Sequence, residues 1–399
     1  MRIAIFTEVF LPKIDGITNR LRHTLDVLIE QGHEILVFGP EHAQFTYRDV
    51  RIVRIPGLPF RPYPELQISA PDPRILRELV RFAPDVVHSV GPACLGVWGI
   101  AAARLLRIPI VASYHTDYPA YIPKHGLGFA RPVIWPLIRS IHNAANVNLC
   151  PSRFTRGELQ DHGIDAVGLW RGGVDTDRFR PETATSAMRE RLMGVGSGRR
   201  RRPARRSLAS RPLAVYVGRV SPEKNLDLLL DLHDAIPGLH IAIVGDGPDR
   251  ERLQSKASSR RIHFTGFLRG EELAAAYASA DLFVMPSVTE TLGFVVLESM
   301  SSGTPAVAAA AGGVPDLVSH GENGLLFDPA RPEQAIRQVR MLIDNPAQRA
   351  HLGLQARKFA ERGSWQEETK RLVREYKKAI VLSAQTDVLK KLLRIWKVA

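Results

Sequence analysis

DLFVMPSVTETLGFVVLESM, Asp281 to Met300, joins an apolar β-type run to a helical segment through a short polar loop. Its first part, DLFVMPS, has the composition of a buried strand, and the part that follows Gly293 predicts a helix. Two carboxylates interrupt this apolar stretch, Glu290 in the loop and Glu298 in the helix. Strand followed by helix is the unit of parallel α/β sheets, so the stretch predicts the fold class.

This strand-then-helix unit recurs along most of the chain. The β-type runs are rich in Val and Ile and end in polar or glycine-containing turns. They are RIAIFTE, EILVFGP, VRIVRIP, DVVHSV, IPIVASYH and NVNLCPS in the first half, and LAVYVGRV, HIAIVGDG, IHFTGF, DLFVMPS, TPAVAAA and GLLFDP in the second. Helical periodicity lies between them, at 18–31, 96–106, 225–235 and 270–280. The repeat predicts two Rossmann-like domains with doubly wound parallel sheets, facing each other across an interdomain cleft that holds the active site.

The 399 residues suffice for two domains of ordinary size. We assign 1–182 to an N-terminal domain and 211–364 to a C-terminal domain. The polar segment 183–210, rich in Arg, Ser and Gly, is predicted to be a linker or insertion. The remaining segment, 365–399, is predicted to be helical with a basic amphipathic tail, and one arrangement has it crossing back to the N-terminal domain.

The formal net charge of +13 raises the question of a polyanionic partner. Six of these charges belong to one run, RRRRPARR, from Arg199 to Arg206. The run lacks the interleaved aromatic residues on which nucleic acid bases stack. Because basic residues are also attracted to anionic lipid, we favour peripheral contact with an anionic membrane over nucleic acid binding.

The C-terminal tail DVLKKLLRIWKVA has two interpretations. It is either an amphipathic helix at a membrane interface or a basic helix that packs on the domain or frays at the terminus. The apolar residues on which the first interpretation depends share largely one helical face. They are Val388, Leu389, Leu392, Leu393 and Trp396.

The compartment is predicted from cysteine usage and hydropathy. Cys94 and Cys150, both in apolar surroundings, are typical of buried thiols in a reducing compartment. Met1 leads directly into a β-type run without a signal segment, and no apolar run is long enough to span a bilayer. We therefore expect a cytoplasmic protein, either soluble or peripheral on the inner face of the cell membrane.

The two carboxylates of the opening stretch predict a nucleotide-sugar site. Glu298 lies among apolar residues, and its carboxylate can accept hydrogen bonds from both hydroxyls of a ribose. Leu292 and Gly293 precede the helix, whose first backbone N–H groups and dipole favour a phosphate. Gly293 also lets the backbone approach that phosphate closely. Glu290 would then lie beside the sugar.

Other strand ends fit the same ligand. GRVSPEKN supplies Arg219 and Lys224, two cations suited to a diphosphate leaving group. Gly16 provides a turn between the first strand and the first helix that can approach phosphate or sugar. Gly245, in VGDGP, either accommodates a base or simply turns the chain.

His115 ends a strand of the first domain beside Asp117. We expect it to face the cleft and to contact the sugar hydroxyls or the charge that develops at the anomeric carbon. No cluster in the sequence has convincing metal-ligand spacing. The nearest candidate, DTDRF at Asp175 to Phe179, is predicted to start a helix instead.

Together these residues resemble glycosyltransferase family 4 of the GT-B fold, whose Glu-x7-Glu motif is matched by Glu290 and Glu298. The resemblance extends from Arg2 to about Lys370 and includes GRVSPEK, VGDGP, ETLGFVVLE and AGGVPDLV. Within the family, FTEVFLPKIDGI, ASYHTDYPAYIPKHG and GVDTDRFRP look most like the sulfoquinovosyl-diacylglycerol synthases. GDP-mannose-dependent lipid mannosyltransferases are similar.

The resemblance implies a retaining transfer without a metal, in which the leaving phosphate takes the acceptor proton. It makes the N-terminal domain the acceptor side and implies UDP-sulfoquinovose and diacylglycerol as substrates, with no cofactor besides the nucleotide-sugar donor. GDP-mannose or UDP-glucose transfer to a lipid or small glycoside is the alternative. A sugar-nucleotide 2-epimerase shares the architecture, and an RNA-binding protein is suggested by charge alone.

Overall fold

The computed structural model describes residues 1–13, 16–60, 63–115, 119, 131–195, 211–258 and 260–396. For residues 60, 63–66, 131–132 and 386–396 it describes the backbone only. The arginine run Arg199 to Arg206 and Asp117 lie outside the described residues, and so do the side chains of the C-terminal tail. The chain divides into two compact units, Met1–Gly172 with Trp365–Ala399, and Gly173–Ser364.

The first unit is built on one large sheet with a separate hairpin. Its strands are β1 (Arg2–Thr7), β2 (Glu34–Pro40), β3 (Thr46–Tyr47), β4 (Val50–Ile55), β5 (Leu58–Phe60), β6 (Tyr63–Ile68), β7 (Val86–Val90), β8 (Ile110–Ser113), β9 (Val147–Cys150) and β10 (Val167–Leu169). Its sheet order is β10-β9-β8-β7-β1-β2-β4-β3, and β5 pairs with β6. All neighbours in the large sheet are parallel except β3 and β4.

Helices connect these strands in sequence. They are α1 (Gly16–Glu30), α2 (Pro73–Phe82), α3 (Leu95–Leu106), α4 (Arg131–His142) and α5 (Arg153–Asp161). The central strands consist of buried Val, Ile, Ala and Phe because helices cover both faces of a parallel sheet. The strand order reverses beside β1, since β2 lies on one side of it and β7 on the other.

The second unit repeats this plan with six parallel strands. They are β11 (Leu213–Val217), β12 (His240–Val244), β13 (Ile262–Gly266), β14 (Leu282–Met285), β15 (Ala306–Ala309) and β16 (Gly324–Phe327), in the order β13-β12-β11-β14-β15-β16. Its helices are α6 (Ser186–Leu192), α7 (Asp227–Ala235), α8 (Arg250–Lys256), α9 (Gly270–Ala278), α10 (Phe294–Ser301), α11 (Pro332–Asp344) and α12 (Pro346–Glu361). Here the order reverses between β11 and β14.

The last helix, α13 (Trp365–Trp396), belongs to the first unit. Leu372, Tyr376 and Ala379 are buried in the cluster that also contains residues of β1, β7, β8 and β9. The helix therefore covers a face of the first sheet, although nearly two hundred residues of the second unit intervene in the sequence. No helix among the described residues is long and apolar enough to cross a membrane.

The compact units differ from the sequence-based boundaries between 173 and 195. Residues 173–182, which we assigned to the first domain, group with the second unit. Within the predicted linker, α6 is a regular helix: Thr185 caps it by accepting from the Met188 N–H at 3.1 Å. Met188 and Leu192 are buried in the core of the second unit. The polar composition of this segment concealed a helix with one apolar face.

A second correction concerns DTDRF. The prediction that a helix starts at Asp175 is wrong, because residues 176–179 form turns. The Asp175 carboxylate accepts a hydrogen bond from the backbone N–H of Arg178 at 3.0 Å, and the Asp175 carbonyl accepts from Phe179 N–H at 2.9 Å. Aspartate stabilises turns in this way as readily as it begins helices.

Candidate functional site

Two of the predicted site residues, Lys224 and Glu290, meet where the strand order of the second sheet reverses. β11 and β14 are neighbours there, with Ala214 opposite Leu282 and Val215 opposite Phe283. The chain leaves β11 toward β12 and leaves β14 toward β15, so the loops that follow the two strands diverge. Such a point at the carboxyl ends of parallel strands forms a crevice in open α/β sheets.

Lys224 and Glu290 face each other across this crevice. The Lys224 ammonium donates to Glu290 Oε1 at 2.5 Å and to the Ser287 hydroxyl at 3.4 Å. Both charged side chains are about one fifth exposed, at 19% and 18%. Since an ammonium has three N–H donors, one remains available beyond these two contacts. The ion pair joins the loop after β11 to the loop after β14.

Arg219 stands on the first of these loops with a fixed backbone and an exposed side chain. Its carbonyl accepts from the Tyr216 hydroxyl at 2.9 Å. The adjacent N–H groups of Gly218 and Val220 donate to Val244 O and Asp246 O, each at 3.0 Å. Among the described residues no ion pair or hydrogen bond engages the Arg219 guanidinium, so an exposed cation stands on a backbone that hydrogen bonds hold in place.

Gly245 packs so closely against the backbone of Gly218 that no side chain fits at this position. It has a φ of +137°, and a Cβ at this position would lie 1.9 Å from the Gly218 carbonyl oxygen. The Gly245 N–H donates to Gly266 O at 2.9 Å. Of the two interpretations that the sequence left open, this geometry favours a tight packing of loops, which in turn fixes the position of Arg219.

A glycine pair that sequence analysis did not assign holds the Glu290 loop. The Gly313 N–H donates to the Glu290 carbonyl at 2.8 Å. A Cβ on Gly312 would lie 2.2 Å from Glu290 O, and one on Gly313 would lie 2.3 Å from Thr291 O. AGGVPDLV was recognised as a motif, but only the fold shows that its glycines let two loops touch.

The start of α10 directly follows the loop that carries Glu290. Gly293 precedes the helix in the left-handed conformation, with φ 94° and ψ 60°, and no described side chain caps it. Leu292 is buried, with 2% of its surface exposed, so it can offer a ligand only its backbone. The positive end of the helix dipole therefore lies next to the loop that carries Glu290.

Glu298 lies one helical turn further along α10 and is partly buried. Its Oε2 accepts a hydrogen bond from the Tyr277 hydroxyl at 3.0 Å. Burial raises the pKa of Glu298 to about 7, although the bond from Tyr277 opposes this shift. The carboxyl group therefore exchanges its proton near neutral pH and has a second oxygen for another donor.

The two site residues predicted in the first half lie in the first unit. Gly16 begins α1, and no described atom lies within 4 Å of the place that a Cβ would occupy. His115 follows β8, and its ring packs edge-on against Trp170 with centroids 5.2 Å apart. Its Nε2 lies 3.0 Å from Ser113 Oγ. Asp117, the expected neighbour of His115, lies outside the described residues.

The first unit has its own reversal point, and Glu8 lies there. This carboxylate follows β1 and accepts backbone hydrogen bonds from Ala93, Leu95 and Gly96 at 3.0, 3.2 and 2.9 Å. These N–H groups belong to the start of α3, so an internal carboxylate occupies the positive end of that helix. Burial, together with Glu8, raises the pKa of the nearby Cys94 thiol to about 11.

Within the part of the chain that the structure describes, no three His, Cys, Asp or Glu side chains are grouped so that they could hold a metal ion.

Comparison with known protein families matches both halves of the chain. The family described as Glycosyltransferase Family 4 matches residues 14–178, and the family described as Glycosyl transferases group 1 matches residues 200–359.

Individual proteins are similar over nearly the full length. The sulfoquinovosyl transferase SQD2 of Arabidopsis thaliana is 36% identical over 389 residues, which cover 95% of this chain and 74% of SQD2. A GDP-mannose-dependent alpha-mannosyltransferase of Mycolicibacterium smegmatis is 38% identical over 372 residues, 92% of this chain and 94% of that enzyme. Among solved structures, sucrose-phosphate synthase from Thermosynechococcus elongatus aligns with a TM-score of 0.74 and 19% identity, over 95% of this chain and 99% of the synthase. The fold is that of the GT-B glycosyltransferases, as predicted.

Proposed function

Since this chain belongs to glycosyltransferase family 4, we propose that it transfers a hexosyl group from a nucleotide-sugar to a lipid acceptor. The transfer retains the anomeric configuration and requires no metal ion or cofactor besides the donor. The observation that carries the proposal is the crevice beside β11 and β14, where the Lys224–Glu290 pair joins the loop that carries Arg219 to the loop that leads into the uncapped start of α10.

In this proposal the diphosphate of the donor lies at the start of α10. The exposed Arg219 guanidinium and the remaining N–H of Lys224 donate to its oxygens, together with backbone N–H groups that follow Gly293. As the bond from the anomeric carbon to the leaving oxygen breaks, negative charge accumulates on the diphosphate. Fixed cations stabilise that charge more in the transition state than in the bound donor.

Glu290 has two roles in this arrangement. Its carboxylate holds the Lys224 ammonium in place through the 2.5 Å contact, and its loop lies where the sugar follows the diphosphate. The acceptor hydroxyl approaches the face that the leaving group departs from, and the leaving phosphate oxygen takes its proton. Phosphate then performs the acid–base step, so Glu290 is not required as a general base.

Glu298 is proposed to bind the ribose. Its carboxylate accepts from the ribose hydroxyls, while the Tyr277 hydroxyl holds Oε2 from the other side. This contact anchors the nucleotide away from the reacting carbon, so it contributes to donor affinity. In the first unit, His115 is proposed to contact the transferred sugar, and Gly16 to leave room at the start of α1.

For the donor and acceptor we propose UDP-sulfoquinovose and diacylglycerol. The support is the similarity to a sulfoquinovosyl transferase over 95% of the chain. The alternative is transfer from GDP-mannose, which is supported by 38% identity to a GDP-mannose-dependent mannosyltransferase over 92% of the chain. A peripheral contact with anionic lipid on the cytoplasmic side of the membrane follows from the lipid acceptor and the net charge of +13.

The proposal is tested with purified protein and diacylglycerol vesicles, with UDP-sulfoquinovose, UDP-glucose and GDP-mannose supplied separately. We expect sulfolipid with the first donor, identified by mass spectrometry, and a raised KM for that donor in Glu298→Ala. If product forms only from GDP-mannose, as mannolipid, the donor is GDP-mannose and not UDP-sulfoquinovose. The proposed transferase chemistry would be unaffected by that result.

The same assay separates transfer from epimerisation. A 2-epimerase releases the free nucleotide from its donor without any acceptor, whereas a transferase needs the lipid for efficient turnover. Nucleotide release that is independent of diacylglycerol, with no glycolipid from any donor, would contradict the proposed function.

A further inference from the structure

A chain of four polar side chains runs from the C-terminal helix to His115. The Tyr376 hydroxyl of α13 lies 2.8 Å from His88 Nδ1, and His88 Nε2 lies 3.0 Å from Ser113 Oγ. Ser113 Oγ in turn lies 3.0 Å from His115 Nε2. Tyr376, His88 and Ser113 are fully buried. Three buried side chains thus connect α13 with His115, the proposed sugar contact.

His88 and His115, the two histidines of this hydrogen-bonded series, are neutral. Burial, together with the nearby Arg20 guanidinium, lowers the pKa of His88 to about 3. Burial likewise holds the pKa of His115 well below its ordinary value, and the charge of Arg20 adds to the effect. A neutral imidazole has one N–H donor and one acceptor nitrogen, so each ring must donate on one side and accept on the other.

The buried Tyr376 determines the direction in which these hydrogen bonds are donated. If His88 Nδ1 carried the proton, it would donate to Tyr376, whose own O–H would then have no acceptor among the described residues. A buried donor without a partner is costly. The Tyr376 O–H therefore donates to His88 Nδ1, and His88 Nε2–H donates to Ser113 Oγ. The Ser113 hydroxyl is left to donate to His115 Nε2.

We propose that Tyr376, His88 and Ser113 are positioning residues that hold His115 as its Nδ1–H tautomer. His115 Nε2 is then occupied as an acceptor, and Nδ1–H is the group that His115 offers to a ligand. No described residue hydrogen-bonds to this Nδ1. The consequence for catalysis, which rests on the proposed function, is that His115 donates to a sugar oxygen and cannot accept a proton through the same nitrogen.

The direct test is two-dimensional 1H–15N NMR of the full chain with 15N-labelled histidine, which distinguishes protonated from unprotonated ring nitrogens. The spectrum of His115→Gln identifies the His115 signals among those of the 13 histidines. We expect Nδ1 of His115 to show the protonated type of shift and Nε2 the unprotonated type. An Nε2–H tautomer in the wild-type protein would overturn the proposal.

Two substitutions test whether the tautomer is imposed from a distance. Tyr376→Phe removes one hydroxyl and leaves the ring packing in place, so His88 can adopt either tautomer and His115 should become a mixture. Ser113→Ala should have the same effect, and Ser113→Thr, which keeps the hydroxyl, should restore the wild-type pattern. Tyr47→Phe, which removes the hydroxyl that donates to Asp26 in the same unit, is the matched control and should change nothing at His115.

Kinetics then connect the tautomer with the reaction. Ser113→Ala should lower kcat about tenfold with little change in the donor KM, as expected for loss of one oriented hydrogen bond in the transition state. A His115 tautomer that stays unchanged in both Tyr376→Phe and Ser113→Ala would contradict the positioning role. If the tautomer pattern is found but no donor is turned over, the proposed function fails instead.

Discussion

The two units have the same strand topology at their reversal points but opposite charge. In the first unit, Glu8 follows β1 and accepts from the N–H groups at the start of α3. In the second unit, β11 occupies the position of β1, and Gly218 and Arg219 follow it instead. The equivalent helix, α10, begins at Gly293 with no described side chain as a cap.

This difference indicates which unit takes the anionic part of a donor. A helix start whose N–H groups already bond an internal carboxylate neither needs nor admits a phosphate. The start of α10 keeps its dipole available, and Arg219 and Lys224 add two cations beside it. We therefore expect one topology to serve packing in the first unit and anion binding in the second.

The largest expected effect comes from removing the exposed cation of the second unit. Arg219→Ala should lower kcat by about 10²–10³-fold, the usual loss when one group that stabilises developing negative charge is deleted. Steady-state kinetics with the identified donor measure this loss. Arg337→Ala, which removes an arginine with an exposed side chain on α11, is the matched control and should retain normal activity. Equal kcat values for the two variants would contradict a role of Arg219 in stabilising the transition state.

The corresponding change in the first unit should affect stability rather than binding. Glu8→Gln replaces a carboxylate that accepts three backbone N–H bonds, so the free energy of unfolding should fall by about 1–3 kcal/mol. Urea denaturation measures that change, and calorimetry should give a nucleotide Kd within about twofold of the wild-type value. A loss of nucleotide affinity without a loss of stability would contradict the comparison.

The glycine contacts of the second unit allow a test of whether its loop geometry positions the nucleotide site. Gly313→Ala places a Cβ 2.3 Å from Thr291 O, so the two loops must separate. We expect the unfolding free energy to fall by about 1–3 kcal/mol and nucleotide affinity to fall with it. Gly157→Ala, inside α5, has open space around the new methyl and should stabilise the protein by about 0.5–1 kcal/mol. Unchanged affinity in Gly313→Ala would show that the loop contact does not position the site.

The smallest effect concerns the pH dependence of donor binding. In the proposed contact, ribose hydroxyls donate to the carboxylate form of Glu298, which predominates only above its pKa of about 7. Nucleotide affinity should therefore rise as pH increases from 6 to 7, by at most about tenfold per pH unit, and level off above that. Glu298→Gln should remove this dependence. Titration calorimetry across this range would contradict the ribose contact if both proteins gave the same curve.

The pKa of Glu298 also has a consequence for the free protein. Its native carboxyl keeps a proton up to about pH 7, whereas its ordinary pKa is 4.5. The folded state therefore binds this proton more tightly than the unfolded state. Between pH 4.5 and about pH 7, the contribution of Glu298 to the free energy of unfolding therefore falls as pH rises.

Local patterns were sufficient to predict most of the fold. The Val- and Ile-rich runs correspond to the central strands of both sheets, and the glycine and polar turns after them mark their carboxyl ends. The short strand β10, Val167–Leu169, was missed because three residues carry no periodicity. The helix α6 was missed because Arg and Ser dominate its segment, although Thr185 is a residue type that commonly caps a helix.

The site was predictable as a set of residues but not as a set of contacts. Arg219 and Lys224 were predicted because they follow a strand and Glu290 because it precedes a helix, yet the Lys224–Glu290 pair joins residues 66 positions apart. Glu8 gave no local signal, because its partners lie more than 80 residues away. Tyr376 reaches His88 only because α13 returns to the first unit.

The central claim is that the anionic nucleotide binds at the reversal point of the second sheet and not at that of the first. Hydrogen–deuterium exchange with mass spectrometry, with UDP and GDP each at saturation, tests it most directly. We expect slower exchange in peptides covering 218–225 and 287–297, and unchanged exchange at 93–96. Slower exchange at 93–96, with 287–297 unaffected by a nucleotide that binds, would contradict it.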